Sequence, residues 1–303
     1  MSGTGEVGII GATGLLGRAV AGRLAEMGYR VLGYSRGGEW EVPGVAAWRD
    51  SAALDFGGLD VLINFAGRRV DCRWTAENRQ EIADSRAGFS GRVVDALARL
   101  EPEARPGLLI NGSATGYYGD GGDRVLDESS GPGDDFLAGI CCDWEMAASR
   151  AETLGVRVMR LRTGVVLGRG ASAFRRLKRM FQMGLGGRLG DGGQWMPWIH
   201  LDDFASAVGH LVRTDGVCGA CNLCAPNPVT NAEFTIKLAD ALHRPAVLPV
   251  PGWVLKVVMG GFGGALLGGQ RAVPVVLERS GFVFRFARLE DALADLCAGA
   301  GSA

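Results

Sequence analysis

A glycine-rich turn near the start of the chain limits most strongly what the chain can fold into. It follows the apolar run of residues 7–10 and has glycine at three positions of a seven-residue stretch. Glycine allows a sharp turn, lets backbone N–H groups approach a phosphate, and lets a helix pack closely on a strand. Since a helix N-terminus favours anions, the turn predicts a cradle for a dinucleotide diphosphate; a turn that only packs a helix is the alternative. The predicted cradle comprises Gly11, Thr13, Gly14, Leu15, Leu16 and Gly17.

The residues after this turn complete a β–α–β unit and indicate which dinucleotide it binds. Residues 18–28 have apolar side chains at helical spacing, and residues 29–34 form a second apolar run. NAD enzymes commonly place an acidic residue after this second strand to bind a ribose hydroxyl. This chain has Ser35 and Arg36 there, and a guanidinium suits the 2′-phosphate of NADP. The sequence therefore predicts NADP(H) as the cofactor, with an exposed arginine in a turn as the alternative.

Composition and charge restrict the class of partner. The chain has 303 residues, of which 47% are apolar, so it is long enough for a large core. Its formal net charge is −1 and it has no long basic stripe, so we expect neither nucleic acid nor a membrane as a partner. A small-molecule substrate is favoured instead. The first apolar run is used by a strand and no basic region precedes it, which predicts a cytoplasmic protein.

Two segments favour other interpretations at first sight. Residues 253–268 are apolar but contain Lys256 and five glycines, and they are shorter than the ~20 residues that span a membrane. We expect a flexible, partly buried segment or the surface of a homodimer. Cys218, Cys221 and Cys224 have the spacing of cluster ligands, but on a strand Cys221 would face away from the other two. We therefore expect no metal site.

Further apolar runs predict the class of fold. They cover residues 59–64, 107–111 and 156–162, and a helix-like stretch over residues 76–100 separates the first two. This alternation predicts an α/β fold of the Rossmann type, with a doubly wound parallel sheet and ligands beyond the carboxyl ends of its strands. The residues expected to line the dinucleotide there are Asn64, Ala66, Gly67 and Thr163.

The pattern changes from about residue 171 onwards. A basic helix is followed by a glycine-rich loop over residues 184–193 and by two nearby indoles. We predict an NADP-binding Rossmann domain over residues 1–168, to which the chain returns at about 198–225. A smaller C-terminal substrate-binding region would then comprise residues 169–197 and 226–303.

Several motifs occur in order along the chain and together resemble a known family. The glycine turn, the segment 64–67 and the segment 198–203 resemble the extended short-chain dehydrogenase/reductase superfamily. A closer resemblance, from about residue 6 to 296, is to its atypical branch of NAD(P)-binding epimerase family proteins. That resemblance rests on Arg73-Trp74 and on residues 84–86, 116–120, 133–137, 163–168, 228–234 and 269–271.

The chain departs from this superfamily at its catalytic pair. The resemblance implies a Tyr-x-x-x-Lys pair, in which the lysine lowers the pKa of the tyrosine so that it exchanges protons with the substrate. No tyrosine and lysine in this chain have that spacing. Counting back from Glu145, the tyrosine place falls at or beside Leu137 and the lysine place at Cys141. A positioned acid–base group contributes about 10²–10⁴-fold, so we expect alcohol oxidation by the standard route to be impaired.

A loop beyond the fourth predicted strand, residues 107–111, offers replacements. Ser113 matches the substrate-orienting serine or threonine that the resemblance implies, and Tyr117 and Tyr118 follow it. Either a tyrosine replaces the missing acid, or both only pack the loop. A tyrosine with an ordinary pKa of about 10 is a poor base but an acceptable proton donor. This favours reduction of an activated carbonyl or alkene.

The predicted substrate site lacks a feature of sugar-nucleotide enzymes. Such enzymes commonly hold the diphosphate with an arginine at the place of Met196 or Pro197, where this chain instead has Trp195 and Trp198 as neighbours. Two indoles suit an apolar or planar ligand. Two interpretations of Arg86 are open. Either it faces the crevice beyond the carboxyl ends of the strands and binds a carboxylate there, or it pairs with an acidic side chain of the protein.

These observations predict an NADP(H)-dependent oxidoreductase that reduces a small, apolar carbonyl or enone. A non-enzymatic NADP(H)-binding sensor is the second interpretation, and a sugar-nucleotide epimerase or dehydratase is the third. We expect structural roles for His200, Asp202 and Asp203.

Overall fold

A seven-stranded parallel sheet forms the centre of the structure, a computed structural model that describes residues 5–246 and 248–298. Its strands are β1 (Glu6–Ile10), β2 (Arg30–Ser35), β3 (Val45–Asp50), β4 (Val61–Asn64), β5 (Leu108–Ala114), β7 (Arg157–Thr163) and β11 (Gly219–Leu223). The strand order is β11-β7-β5-β4-β1-β2-β3, and every neighbouring pair is parallel. The structure thus confirms the predicted Rossmann-type α/β fold.

Short strands join the segments that lie above this sheet. They are β6 (Val125–Leu126), β8 (Val165–Leu167), β9 (Trp195–Met196), β10 (Trp198–His200), β12 (Val229–Thr230) and β13 (Arg271–Ala272). They pair as β10 with β8, β12 with β9, and β13 with β6.

Helices pack on both faces of the sheet and in the region beside it. They are α1 (Leu15–Glu26), α2 (Ala76–Ala83), α3 (Phe89–Ala98), α4 (Phe136–Ser149), α5 (Ser172–Gln182), α6 (Leu201–Arg213), α7 (Asn231–Leu242), α8 (Gly252–Met259), α9 (Gly261–Ala265), α10 (Val275–Arg279) and α11 (Leu289–Cys297). Helices α1 and α6 pack on one face and α3 and α4 on the other. Because both faces are covered, the inner strands are continuous apolar runs, as in other parallel sheets.

A second hydrophobic core lies beside the sheet. Helices α5, α7 and α11 build it around Trp198, which has no exposed surface. The proposed division into two domains stays a prediction, and residues 1–4, 247 and 299–303 of its bounds lie outside the described residues. In the described part of the chain, no helix has both the length and the apolar character that crossing a membrane requires.

Two features of the fold were not predicted. One is β3, the seventh strand, which lies at one edge of the sheet. Its side chains are mostly half-exposed. The predicted helix over residues 76–100 contains a π-helical turn at Asp84–Gly88, between α2 and α3. Such a turn holds an extra residue and commonly marks a functional site.

Candidate cofactor and substrate site

The glycine turn between β1 and α1 has the geometry of a phosphate cradle. Gly11 has a φ of +84°, and its carbonyl accepts the N–H of Gly14 at 2.9 Å. A Cβ at Gly17 would lie 2.2 Å from the carbonyl oxygen of Gly11, so only glycine permits this close approach. Thr13 and Gly14 are exposed, and no side chain caps the helix. The unpaired N–H groups of the first turn therefore remain available to an anion.

Arg36 lies where the adenosine end of a dinucleotide would extend, at the carboxyl end of β2. It is exposed and lines a cavity of about 370 Å³. Ser35 donates its hydroxyl to the carbonyl of Gly38 and so holds the turn. Arg36 forms no ion pair within the described residues, although Glu39 and Asp50 line the same cavity. Its guanidinium is thus available to a phosphate.

The ends of β4 and β7 border the same edge of the sheet, with one difference from the prediction. Asn64 is fully buried, and its side-chain amide donates to the oxygen of Asn111 at 2.8 Å and accepts the N–H of Ala66 at 3.1 Å. It therefore shapes the strand end from inside, which corrects its assignment as a direct ligand contact. Ala66, Gly67 and Thr163 retain exposed surface.

A buried ion pair that the sequence did not predict lies directly beneath Ser113. Arg162 on β7 makes two bonds to Glu145 on α4, at 2.8 and 2.9 Å, and the two side chains are only 5% and 6% exposed. Burial by itself lowers the pKa of Arg162, but its bonds to Glu145 hold that pKa above the ordinary value. The hydroxyl of Ser113 donates to the same carboxylate at 2.7 Å. The hydrogen of Ser113 is therefore committed to Glu145.

The same network extends to Tyr118 and closes it off from solvent. Arg162 donates to the Tyr118 hydroxyl at 3.0 Å, and that hydroxyl donates to Asn222 at 2.7 Å. Burial raises the pKa of Tyr118 to about 12, although the charge of Arg162 opposes this. Because the ring is 2% exposed, Tyr118 is a structural residue. Its predicted catalytic role is withdrawn.

Tyr117 differs from its neighbour in being half-buried. The guanidinium of Arg162 lies 3.5 Å from the centre of its ring, and the ring is perpendicular to that of Tyr118. Within residues 5–246 and 248–298, the Tyr117 hydroxyl makes no hydrogen bond. Of the two predicted tyrosines, Tyr117 is therefore the one available to a substrate.

The two residues predicted to stand at the places of the missing Tyr-Lys pair offer no acid or base. Leu137 and Cys141 both lie on α4 and face the loop at Gly116, where a Cβ would lie 3.5 Å from the Cβ of Leu137 and 4.0 Å from the sulfur of Cys141. Burial raises the pKa of the Cys141 thiol to about 12. Neither side chain exchanges a proton at neutral pH.

The structure separates the two indoles that were predicted to bind substrate. Trp198 lies in the second core with no exposed surface and donates to the carbonyl of Asn227 at 3.2 Å. It is therefore removed from the substrate site. Trp195 is half-buried, donates to Asp123 at 2.8 Å, and packs against the guanidinium of Arg271.

A second aromatic group borders the crevice and was missed. Trp74 packs against Phe136 at 4.8 Å and Phe262 at 6.2 Å between ring centres. All three rings are half-buried, and Phe136 immediately precedes Leu137. Trp74 and Phe136 fall in motifs of the resemblance, but nothing in the sequence indicates that they meet.

Arg86 lies in the π-helical turn, beside the end of β4. Its guanidinium carbon would be 3.5 Å from a Cβ at Gly67, and it lies 5.2 Å above the ring of Trp144. It forms no ion pair within the described residues, so it does not pair with an acid as the alternative prediction required.

The segment around His200 has the structural role that was expected. The ring nitrogen Nδ1 of His200 accepts the N–H of Asp202 and so caps α6. The carboxylate of Asp203 accepts the N–H groups of Arg285 and Phe286 at 2.9 and 2.8 Å.

Of the three cysteines with cluster spacing, Cys218 is exposed while Cys221 and Cys224 are buried. The described residues contain no group of ligands that could hold a metal.

Comparisons with known proteins agree with the motifs. The sequence profile described as NAD dependent epimerase/dehydratase family matches residues 7–223, and that of a domain of unknown function, DUF1731, matches residues 250–296. An Arabidopsis thaliana protein, epimerase family protein SDR39U1 homolog, chloroplastic, is 36% identical over 95% of this chain and 85% of its own length.

Two crystal structures are similar over nearly the whole chain. Human epimerase family protein SDR39U1 (isoform 2), solved with NADPH, is 31% identical with a TM-score of 0.88, over 97% of this chain and 99% of that one. A nucleoside-diphosphate sugar epimerase from Corynebacterium glutamicum is 31% identical with a TM-score of 0.78, over 98% of this chain and 59% of that one.

Proposed function

This chain belongs to the NAD dependent epimerase/dehydratase family, and we propose that it is an NADP(H)-dependent oxidoreductase that reduces a small carbonyl or activated alkene. One observation carries the proposal. The phosphate cradle at α1 has no side-chain cap, and Arg36 forms no ion pair within the described residues, while Leu137 and Cys141, which the resemblance puts at the positions of the usual proton-handling pair, both face the loop at Gly116. The human relative crystallised with NADPH supports the choice of cofactor.

The residues at the crevice have separate tasks in this proposal. The backbone of residues 11–17 holds the diphosphate and Arg36 the 2′-phosphate. NADPH bound there would supply a hydride to an electrophilic carbon of the substrate. The free hydroxyl of Tyr117 donates the proton that completes the reduction and regains it from solvent. Ser113 has its hydrogen committed to Glu145, so it has no proton to donate to a substrate carbonyl, and that task falls to Tyr117.

The chemistry of the site favours reduction over oxidation. Oxidation of an alcohol needs a base, and a neighbouring lysine normally lowers the pKa of the tyrosine for that purpose. Here the lysine place holds the buried thiol of Cys141. A tyrosine without such help still donates a proton to a carbonyl that is becoming an alkoxide.

A reductase assay with two matched tyrosine variants tests this proposal. NADPH absorbance is followed with a panel of ketones, aldehydes and enones. Y117F is expected to lower the rate about 10²–10⁴-fold with an unchanged Kd for NADPH. Y118F alters a buried hydroxyl and is expected to change stability while leaving most of the rate. Tight NADPH binding without turnover of any class, or a wild-type rate in Y117F, would refute the proposal.

A non-enzymatic NADP(H) sensor is the second candidate. The observation that favours it is that the hydroxyls of Ser113 and Tyr118 both lie inside a closed network. A sensor must bind the oxidised and reduced cofactors with different affinities, because a ligand shifts an equilibrium only through differential binding. It would change oligomeric state with the redox form and show no turnover.

Sugar-nucleotide epimerase or dehydratase activity is the third candidate. Its support is the name of the Corynebacterium glutamicum relative. Against it stand the missing Tyr-Lys pair and the apolar Met196 and Pro197 at the place of the clamp arginine. Conversion of a nucleoside-diphosphate sugar by the purified chain would establish it.

Location and assembly stay predictions. We retain the cytoplasm as the expected location, although the Arabidopsis thaliana relative is named chloroplastic. A homodimer through α8 is favoured by the exposed side chains of Trp253, Val257 and Val258, and sedimentation analysis of the purified chain tests it.

A further inference from the structure

Arg86 is the one charged side chain of the crevice wall that comes from a π-helical turn. The turn at Asp84–Gly88 inserts an extra residue between α2 and α3, and π-helical turns occur frequently at functional sites. The insertion carries the guanidinium beside Gly67, where a Cβ would lie 3.5 Å from its carbon. The residues after β4 line the edge of the sheet at which ligands bind in this fold.

The charge of Arg86 is not neutralised by any acid of the described chain. Its shortest hydrogen bond goes to the carbonyl of Arg68, at 2.8 Å. Its hydrogen bonds to the carbonyl of Ile82 and to the hydroxyl of Ser85 are both 3.4 Å long. Its Nε makes no hydrogen bond there. Burial lowers its pKa below the ordinary value, yet a guanidinium remains charged in proteins.

A half-buried cation without a partner destabilises the folded protein unless a ligand supplies the opposite charge. Arg162 shows the alternative in the same crevice, because it is deeply buried and fully paired with Glu145. Arg86 instead has no acidic partner and an Nε without a hydrogen bond among the described residues, and a guanidinium presents its N–H groups in the forked arrangement that suits a carboxylate.

The surroundings of Arg86 indicate what the rest of the ligand is like. Arg86 packs on Trp144 in the middle of α4, and Phe136, the first residue of that helix, belongs to the aromatic cluster with Trp74. Phe136 and Trp144 are eight positions apart, which is about 12 Å along the helix axis. A ligand with an anionic end at Arg86 would therefore extend along apolar groups towards Phe136.

We propose that Arg86 binds the carboxylate of the substrate, so that the substrates are small apolar or aromatic carboxylic acids that carry a carbonyl or activated alkene. This inference rests on the proposed reductase function. It names the substrate class of that site and narrows the apolar acceptor expected from the sequence.

A binding experiment without turnover tests it. Benzoate and its uncharged counterpart benzamide are titrated calorimetrically into the purified chain saturated with NADP⁺, as wild type, R86Q and R86K. Charge-assisted hydrogen bonds predict that the wild type binds benzoate about 10- to 100-fold more tightly than benzamide. R86Q abolishes that preference and R86K retains part of it. The control is R99Q, which changes the exposed residue that follows the last residue of α3 and keeps the full preference.

Two outcomes would overturn the inference. One is equal affinity of the wild type for both probes, including no detectable binding of either. The other is a loss of NADPH affinity in R86Q that matches its loss of benzoate affinity, because Arg86 would then hold the cofactor. Melting temperatures of the variants exclude unfolding as the cause. A preserved benzoate preference without turnover of any substrate would leave carboxylate binding by Arg86 intact and refute only the reductase proposal.

Discussion

The two sides of the crevice use their polar groups in opposite ways. At the glycine turn, backbone N–H groups of the first turn of α1 are left open by residues without capping side chains. At the ends of β5 and β7, Ser113, Glu145, Arg162 and Tyr118 bond one another and leave little for a ligand. One side therefore retains binding capacity in its backbone, while the other has used its side chains for stability.

The largest expected effect comes from breaking the closed side. R162M leaves the carboxylate of Glu145 buried and unpaired, which typically costs about 3–5 kcal/mol. The matched control is R150M, which removes an exposed pair between Arg150 and Asp95 and is expected to cost at most about 1 kcal/mol. Urea unfolding of both variants measures the difference. Equal losses would show that burial of the network contributes nothing special.

One added carbon atom at Gly17 is expected to disrupt the phosphate cradle on the open side of the crevice. In G17A the new Cβ would lie 2.2 Å from the carbonyl oxygen of Gly11, so α1 must shift, at a cost near the upper end of about 1–3 kcal/mol. NADPH binding should be lost as well. G22A is the matched control on the same helix, because nothing lies within 4 Å of its Cβ; it should bind NADPH normally. NADPH fluorescence and thermal unfolding test both variants, and normal binding by G17A would contradict the account.

Removal of a single charge sharpens the assignment of the cofactor. R36Q should weaken NADPH binding by about 10- to 100-fold, the equivalent of losing a charge-assisted hydrogen bond, and leave NADH binding unchanged. R99Q, a substitution of the exposed residue that follows α3, should alter neither affinity. Competitive fluorescence titration gives the dissociation constants of R36Q and R99Q for NADPH and for NADH. An unchanged preference in R36Q would remove Arg36 from the site.

The smallest effect concerns the pH dependence of stability near α6. Burial lowers the pKa of His200 below 6.5, although the nearby Asp202, Asp295 and Asp203 oppose this and Arg285 adds to it. As pH falls below 6.5, the unfolded state gains a proton that the folded state does not, so stability decreases by up to about 1.4 kcal/mol per pH unit. H200N, which can still cap α6, should lessen this slope in urea unfolding between pH 7 and 5. H243N, at an exposed position, should keep it.

The sequence predicted best what depends on local patterns. The glycine turn, the alternation of strands and helices and the ends of β4, β5 and β7 are local, and the structure has them. Strand β3 escaped because its half-exposed side chains lack a clear alternation. The π-helical turn escaped because residues 76–98 continue a helical pattern on both sides of it.

The closed network could not be predicted because its members meet only through the fold. Glu145 and Arg162 are 17 positions apart on a helix and a strand, and Asn222 comes from yet another strand. A signal was present, since Glu145 falls at the helical spacing of the buried Cys141 and Ala148. Glu145 is an acid at a buried helix position and Arg162 is a cation at a buried position of β7, and two such groups together indicate an internal pair. Trp198 was wrongly predicted to bind substrate, because the sequence does not show which side of a strand is covered by the rest of the protein.

The central claim is that the open side of the crevice binds a phosphorylated nicotinamide dinucleotide. Calorimetric titration of the purified chain with NADPH and with NADH tests it most directly. We expect saturable binding of NADPH with at least about tenfold preference over NADH, which is ~1.4 kcal/mol. Absence of binding by either cofactor, or a preference for NADH, would contradict it.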